Sequence, residues 1–143
     1  MREVRHPDSQ GWDSSRAGYA NAKMAIMREF PSFMKNRSNM VARSNQATPG
    51  VEGFVFDGVD GNQMAFWTCP DNAVSAPHVH DFDEYMVVVQ GCYTLLIDDK
   101  RVPLRTGDEY VIARGVAHGG QVAAGTRTIH AFGGHRADRV QDV

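Results

Sequence analysis

The residues best equipped for chemistry lie in one stretch, Ala76-Pro77-His78-Val79-His80-Asp81-Phe82-Asp83-Glu84-Tyr85. His78 and His80 stand two apart. On a strand, that spacing points both imidazoles to one face, because side chains alternate. Glu84 follows four residues after His80. Asp81-Phe82-Asp83 can bend the chain and bring its carboxylate to the same centre. Two imidazoles and one carboxylate suit a borderline divalent metal: Fe, Mn, Ni, Zn or Cu. A further histidine, His118, ends a second stretch that starts at the Gly107-Asp108 turn. Its distance from the first stretch is what two facing strands of a closed barrel need.

The elements that must position these groups read as strands. Val51 to Phe56 and Gln63 to Cys69 alternate in period two around a turn, Asp57-Gly58-Val59-Asp60-Gly61, whose residues tolerate positive φ. Further strand candidates are Pro77 to His80, Glu84 to Gln90, Tyr93 to Ile97, Arg101 to Arg105, Glu109 to Ala113 and Thr126 to Phe132. Asp98-Asp99-Lys100 forms a tight turn between two of them. Many short strands without intervening helices predict an all-β sandwich or barrel. Ahead of them, Met24, Met27 and Phe30 recur every three residues, which predicts a short helix over 20–30 that Pro31 interrupts. Ser32 to Met34 starts a second short turn.

With these residues placed, the chain resembles the cupin superfamily. His78-x-His80-x-x-x-Glu84, with Gly91 seven residues on, is similar to its first motif, and Gly107 through Gly115-x-x-His118 to its second. The resemblance spans roughly residues 50–132. It implies a jelly-roll β-barrel, so the expected fold is all-β, that barrel preceded by the short N-terminal helical extension read from the residue spacing. It also implies one metal held by three histidines and one glutamate: His78, His80, His118 and Glu84. The sequence departs from the pattern at Asn72, Ala113 and Val122, all read as loop or scaffold positions. The expected organisation is an arm and helix over 1–45, a barrel over 46–135 and a tail over 136–143.

Other residues join the candidate site by parity. Tyr85 should point away from Glu84, whereas Met86 and Val88 share its face and line the barrel. Tyr93, Leu95 and Ile97 form one face that can wall an apolar pocket. His130 is either a satisfied histidine or a catalytic acid or base beside a substrate. Arg114 and Arg127 can clamp a carboxylate bidentately, and parity leaves their direction, like that of His130, open. Cys69 and Cys92 read as small buried side chains rather than a disulfide, with Cys92 as the alternative pocket thiol.

Composition bounds the rest. A chain of 143 residues, 42% hydrophobic, can close one core. It has no apolar run of about 18 residues for a membrane helix. Its N-terminus lacks an apolar segment typical of a signal peptide, so a cytoplasmic location is expected. Net charge is -2, which does not suggest nucleic-acid binding. Residues 1–45 carry eight Lys/Arg against four Asp/Glu, and the remainder seven against thirteen. That basic segment reads as a solvated face or as a surface for a second copy, and a homodimer is expected. The expected activity is that of a small-molecule metalloenzyme, dioxygenase-like or an isomerase or lyase acting through enolate or carbonyl chemistry. A noncatalytic module that binds or senses a small ligand through the metal is the alternative.

Overall fold

The computed structural model describes residues 26–142. Nine strands follow three short 3-10 turns. The strands are β1 (Glu52–Asp57), β2 (Gln63–Cys69), β3 (Ala73–His78), β4 (Glu84–Gln90), β5 (Cys92–Ile97), β6 (Lys100–Arg105), β7 (Glu109–Ile112), β8 (His118–Val122) and β9 (Thr126–Phe132). They form two antiparallel sheets, one ordered β1-β2-β9-β4-β7 and the other β3-β8-β5-β6. This is the double-sheet jelly roll expected from the sequence.

Turn chemistry sets much of the register. Asp98 and Asp99 both adopt positive φ, 50° and 57°, as a two-residue hairpin requires. They align β5 with β6 from Ile97 opposite Lys100 onward. Gly91, at φ 86°, turns the chain from β4 into β5, and a Cβ there would lie 2.4 Å from the Thr126 hydroxyl. Only glycine satisfies both demands.

Two strands depart from the sequence expectation. The strand expected at Pro77 to His80 lies earlier, over Ala73–His78, so His80 falls beyond its end. Its pairing with β8 shifts register between Ser75 and His78, where Pro77 has no amide to donate. Strand β8 was not expected, because Gly119 and Gly120 dilute its β-propensity. The glycines are there for space. A Cβ on Gly119 would lie 2.8 Å from the Ser75 carbonyl, and one on Gly120 would lie 2.5 Å from the Tyr93 ring.

The interior holds one apolar cluster of Met86, Val88, Leu95, Ile97, Leu104 and Ile112. A second group, Val41, Val55, Ala65, Phe132 and Ala137, packs at the other side. Outside the five-stranded sheet, Phe30 covers Phe54 and Phe66, with Met34 and Met40 beside them. The turn expected from Ser32 is present over Ser32–Met34. The helix expected over 20–30 lies largely outside the described residues, and residues 26–30 are bends and irregular chain.

Candidate metal centre

Three strands and one bend bring the four residues together. His78 ends β3, Glu84 opens β4 and His118 opens β8, while His80 comes from the segment between β3 and β4. His78 and His118 face each other across the β3–β8 ladder, with ring centroids 4.3 Å apart. His80 reaches the group from off the strand because its ring stacks on Phe82, at 4.9 Å and 8° between planes. One ligand atom from each of His78, His80, Glu84 and His118 lies within 4.8 Å of the others.

The hydrogen bonds fix which atoms face inward. His78 Nδ1 donates to the Ala76 carbonyl at 2.7 Å, and His118 Nδ1 donates to the Val116 carbonyl at 2.9 Å. A carbonyl can only accept, so in each neutral ring the proton sits on Nδ1 and Nε2 presents a lone pair. Glu84 Oε1 accepts from His130 Nδ1 at 2.9 Å. That leaves Oε2 turned toward His118 Nε2 at 3.1 Å and His80 Nε2 at 3.4 Å.

Such an arrangement calls for a positive charge. A lone pair on His118 Nε2 and an anionic oxygen 3.1 Å apart repel unless a proton or a cation lies between them. Burial disfavours the charged form of His118, yet the Glu84 carboxylate and the Val116 carbonyl outweigh it and raise its pKa. Burial also disfavours ionised Glu84, but hydrogen bonds from His118 and His130, with His80 close by, hold its carboxyl far below the usual carboxylate range. His78 is driven the other way, its burial favouring the neutral imidazole that a metal requires. His80 Nε2 is buried without a hydrogen-bond partner, since its approach to Glu84 lacks the alignment of a bond.

A bound metal ion would answer these features together. Three imidazoles and one carboxylate, with one ligand atom of each within 4.8 Å of the others, are a donor set that suits a borderline transition metal. The residues therefore fit one metal ion.

A cavity of about 60 Å³ opens beside the cluster, lined in part by Trp67, Ser75, Tyr93, Thr128, His130 and Phe132. His130 is buried, and its Nε2 lies 2.9 Å from the Thr128 hydroxyl. Tyr85 points outward as its parity requires and donates to Glu109 Oε1 at 2.5 Å. Met86 and Val88 are inward and 1% exposed.

The remaining sequence candidates are distributed differently from expectation. Arg114 is exposed and contributes only its amide, which donates to Asp83 Oδ1. Arg127 is buried, but against the outer arm. Its guanidinium donates to Gln90 Oε1 and the Met27 carbonyl and lies over the Phe30 ring. Neither lines the cavity, whereas Arg136 does. The cavity thiol is Cys69 rather than Cys92, and both cysteines are free. Val122, read as scaffold, also borders the cavity. Nothing periodic marks Arg136. Its only signal is Gly133-Gly134, a flexible pair that can fold the chain back after β9.

The family profile for the cupin domain matches residues 65–132, which contain all four converging residues. The chain carries a cupin domain. Solved structures agree on the fold of this cupin. An RmlC-like cupin from Shewanella frigidimarina superposes with a TM-score of 0.59 at 17% identity, covering 80% of this chain and 94% of that one. KdgF from a Halomonas species gives 0.55 at 19% identity, covering 72% and 96%. The polyketide cyclase RemF from Streptomyces resistomycificus gives 0.56 at 16%, covering 75% and 78%. None of the curated proteins compared with it matches significantly. At these identities the likeness concerns the fold.

Proposed function

We propose that this cupin holds one divalent transition metal through His78 Nε2, His80 Nε2, His118 Nε2 and Glu84 Oε2, and acts on a small molecule in the adjoining cavity. The observation that carries this reading is the convergence of ligand atoms around a buried, partnerless His80 Nε2. Such a nitrogen costs about 1–3 kcal/mol unless something binds it. Bound there, a metal supplies Lewis acidity that can polarise a carbonyl or stabilise an enolate.

The chain's own residues prepare the rest. His130, held by Thr128, fixes Oε1 of Glu84 and so aims Oε2 at the three imidazoles. It acts as a positioning residue. Trp67 meets the His130 ring edge-on at 4.8 Å and, with Phe132, walls the cavity against bulk water. Tyr93 borders the cavity as a neutral phenol, its pKa pushed up by burial to about 12. Oxygenase, isomerase and lyase chemistry can each use a metal beside a cavity, so the fold does not choose among them. That the similar RemF is a polyketide cyclase supports an enzymatic reading over passive binding.

Elemental analysis of protein prepared without an affinity tag tests the proposal. Close to one equivalent of a transition metal is expected in the parent and none in a His78→Ala/His118→Ala variant. A parent that neither carries nor takes up metal removes the reading and favours a module that binds ligand without turnover.

We also propose a homodimer. Phe56, Met64, Ala131, Tyr85 and Val111 stand in register across the outer face of the five-stranded sheet. Met64 is 55% and Val111 64% exposed there. An apolar row of that kind is what a second copy covers. A monomer mass by light scattering at micromolar concentration overturns this.

A further inference from the structure

Arg136 lies in the cavity wall without a carboxylate partner. Its Nη1 donates to the Asn45 carbonyl at 2.8 Å, and its guanidinium stands 5.9 Å from the Phe132 ring centroid. No other hydrogen bond or ion pair involves that guanidinium among the described residues. A guanidinium has five donors. The one buried side-chain nitrogen or oxygen left without a partner among the described residues is His80 Nε2. The unused donors of Arg136 are therefore reached by solvent rather than sealed in protein, and Arg136 is one of the residues that line the cavity. Other arginines are committed elsewhere: Arg127 to Gln90 and the arm, Arg139 to Asp57, and Arg101 to Gln121.

Its charge also reaches the proposed ligands. Its guanidinium interacts electrostatically with Glu84 and with Tyr93. Burial is the larger influence on Arg136 itself and works against its charge. A cation kept half-buried beside an open cavity, with donors unspent, is stabilised by an anion that enters the cavity. Among the residues that line the cavity Glu84 is the one carboxylate, and a bound metal ion would add a second cationic centre to Arg136. The vacant charge at this end suits a carboxylate.

We propose that Arg136 is the anion-binding residue of this cavity, and that the natural ligand is a small carboxylate held at one end by its guanidinium and at the other by the metal centre. This deepens the metal-dependent reading and rests on it for the second point of attachment.

The test uses malonate and its half-amide, malonamate. Each can place one carboxylate on the metal, so they differ only in what they offer at the other end. Binding is read on cobalt-loaded full-length protein, by the visible spectrum of the ion and by the shift in melting temperature. Metal content is measured in the same samples. The parent should prefer malonate by roughly tenfold or more, the scale of a hydrogen bond to a charged group. Arg136→Met should keep its metal and bind both compounds within about twofold of each other. A parent without preference, or an Arg136→Met protein that keeps it, overturns the proposal. Should Arg136→Met fail to fold, Arg136→Lys carries the test. A point charge in place of a planar fork should reduce the preference severalfold, and an unchanged preference overturns the assignment. If the parent takes up no metal, the metalloenzyme reading falls separately. Stabilisation of the metal-free parent by malonate, absent from the Arg136 variant, then still upholds the anion site, and equal stabilisation of both refutes it.

Discussion

The two halves of the barrel interior are built on opposite principles. Where β4, β5, β6 and β7 close together, Met86, Val88, Leu95, Ile97, Leu104 and Ile112 fill the space with carbon. Where β2, β3, β8 and β9 meet the segments before β1 and after β9, Ser75, His78, Thr128, His130 and Arg136 surround a cavity. Neighbouring residues of one strand serve both. Glu84 opens the polar half while Met86 and Val88, on the same face of β4, belong to the packed one. The packed half supplies dispersion and hydrophobic burial whatever the cavity contains. The hollow half leaves polar groups whose best partner is a bound species, so its contribution to stability depends on what is bound. The proposed function therefore sits where packing has been withheld.

The largest expected effect tests the packed half. Leu95 is 0% exposed at its centre. Leu95→Ala should cost about 2–5 kcal/mol of unfolding free energy, the range for opening a cavity in a tight core. Denaturant titration reads the cost, and the metal content of the folded fraction should stay that of the parent. A loss below about 1 kcal/mol would mean that this half collapses easily and is not the rigid partner.

How far the sequence revealed this division depends on whether a feature is local. The His78-x-His80-x-x-x-Glu84 spacing and the inward parity of Glu84, Met86 and Val88 were legible, because each depends on a few consecutive residues. So were the hairpin turns at 57–61 and 98–100, whose residues suit positive φ. His118 was legible as a ligand candidate although its strand was not. Gly119 and Gly120 look like a loop until Ser75 and Tyr93 are seen pressed against them. His80 was placed on a strand with His78, yet Pro77 and the shifted register end that strand first, and stacking on Phe82 turns the ring inward. Arg136 carries no such local signal, whereas Arg114 and Arg127 lie in or beside the strand candidates. Which arginine reaches the cavity depends on how the chain folds back after β9, and alternation within a strand carries no information on that.

A smaller effect probes the boundary between the halves. Tyr93 packs against the apolar cluster and also lines the cavity. Burial raises its pKa from 10 to about 12, against a weaker pull from a hydrogen bond with Ser75. Folding thus favours the protonated phenol. Its contribution is fully present below pH 10 and is lost as pH rises through about 12. Over that window the parent should lose on the order of 3 kcal/mol beyond what Tyr93→Phe loses. Ultraviolet titration of the phenol, compared with denaturant midpoints at each pH, reads both quantities. Ionisation of Tyr93 near pH 10 would place it in water and move the boundary away from it.

The smallest effect in energy is the sharpest in sign. His80 stacks on Phe82 almost parallel, and its Nε2 is buried with no partner. His80→Phe keeps a ring in that stack and removes the nitrogen. Without metal, the variant should match the parent or exceed it by about 1 kcal/mol, since an unmet desolvation cost disappears. With metal, the order should reverse, because the parent gains binding free energy that the variant forgoes. At a free metal concentration a hundred times the dissociation constant, that gain is about 2.7 kcal/mol. Thermal or denaturant unfolding with and without the ion reads the crossing. A variant that is less stable in both conditions would show His80 to be a packing residue, and the hollow half would then be no different in kind from the packed one. A variant whose stability still rises with metal as the parent's does would remove His80 from the ligand set. Reversal of the order is the result that only a side chain kept for a bound ion can give.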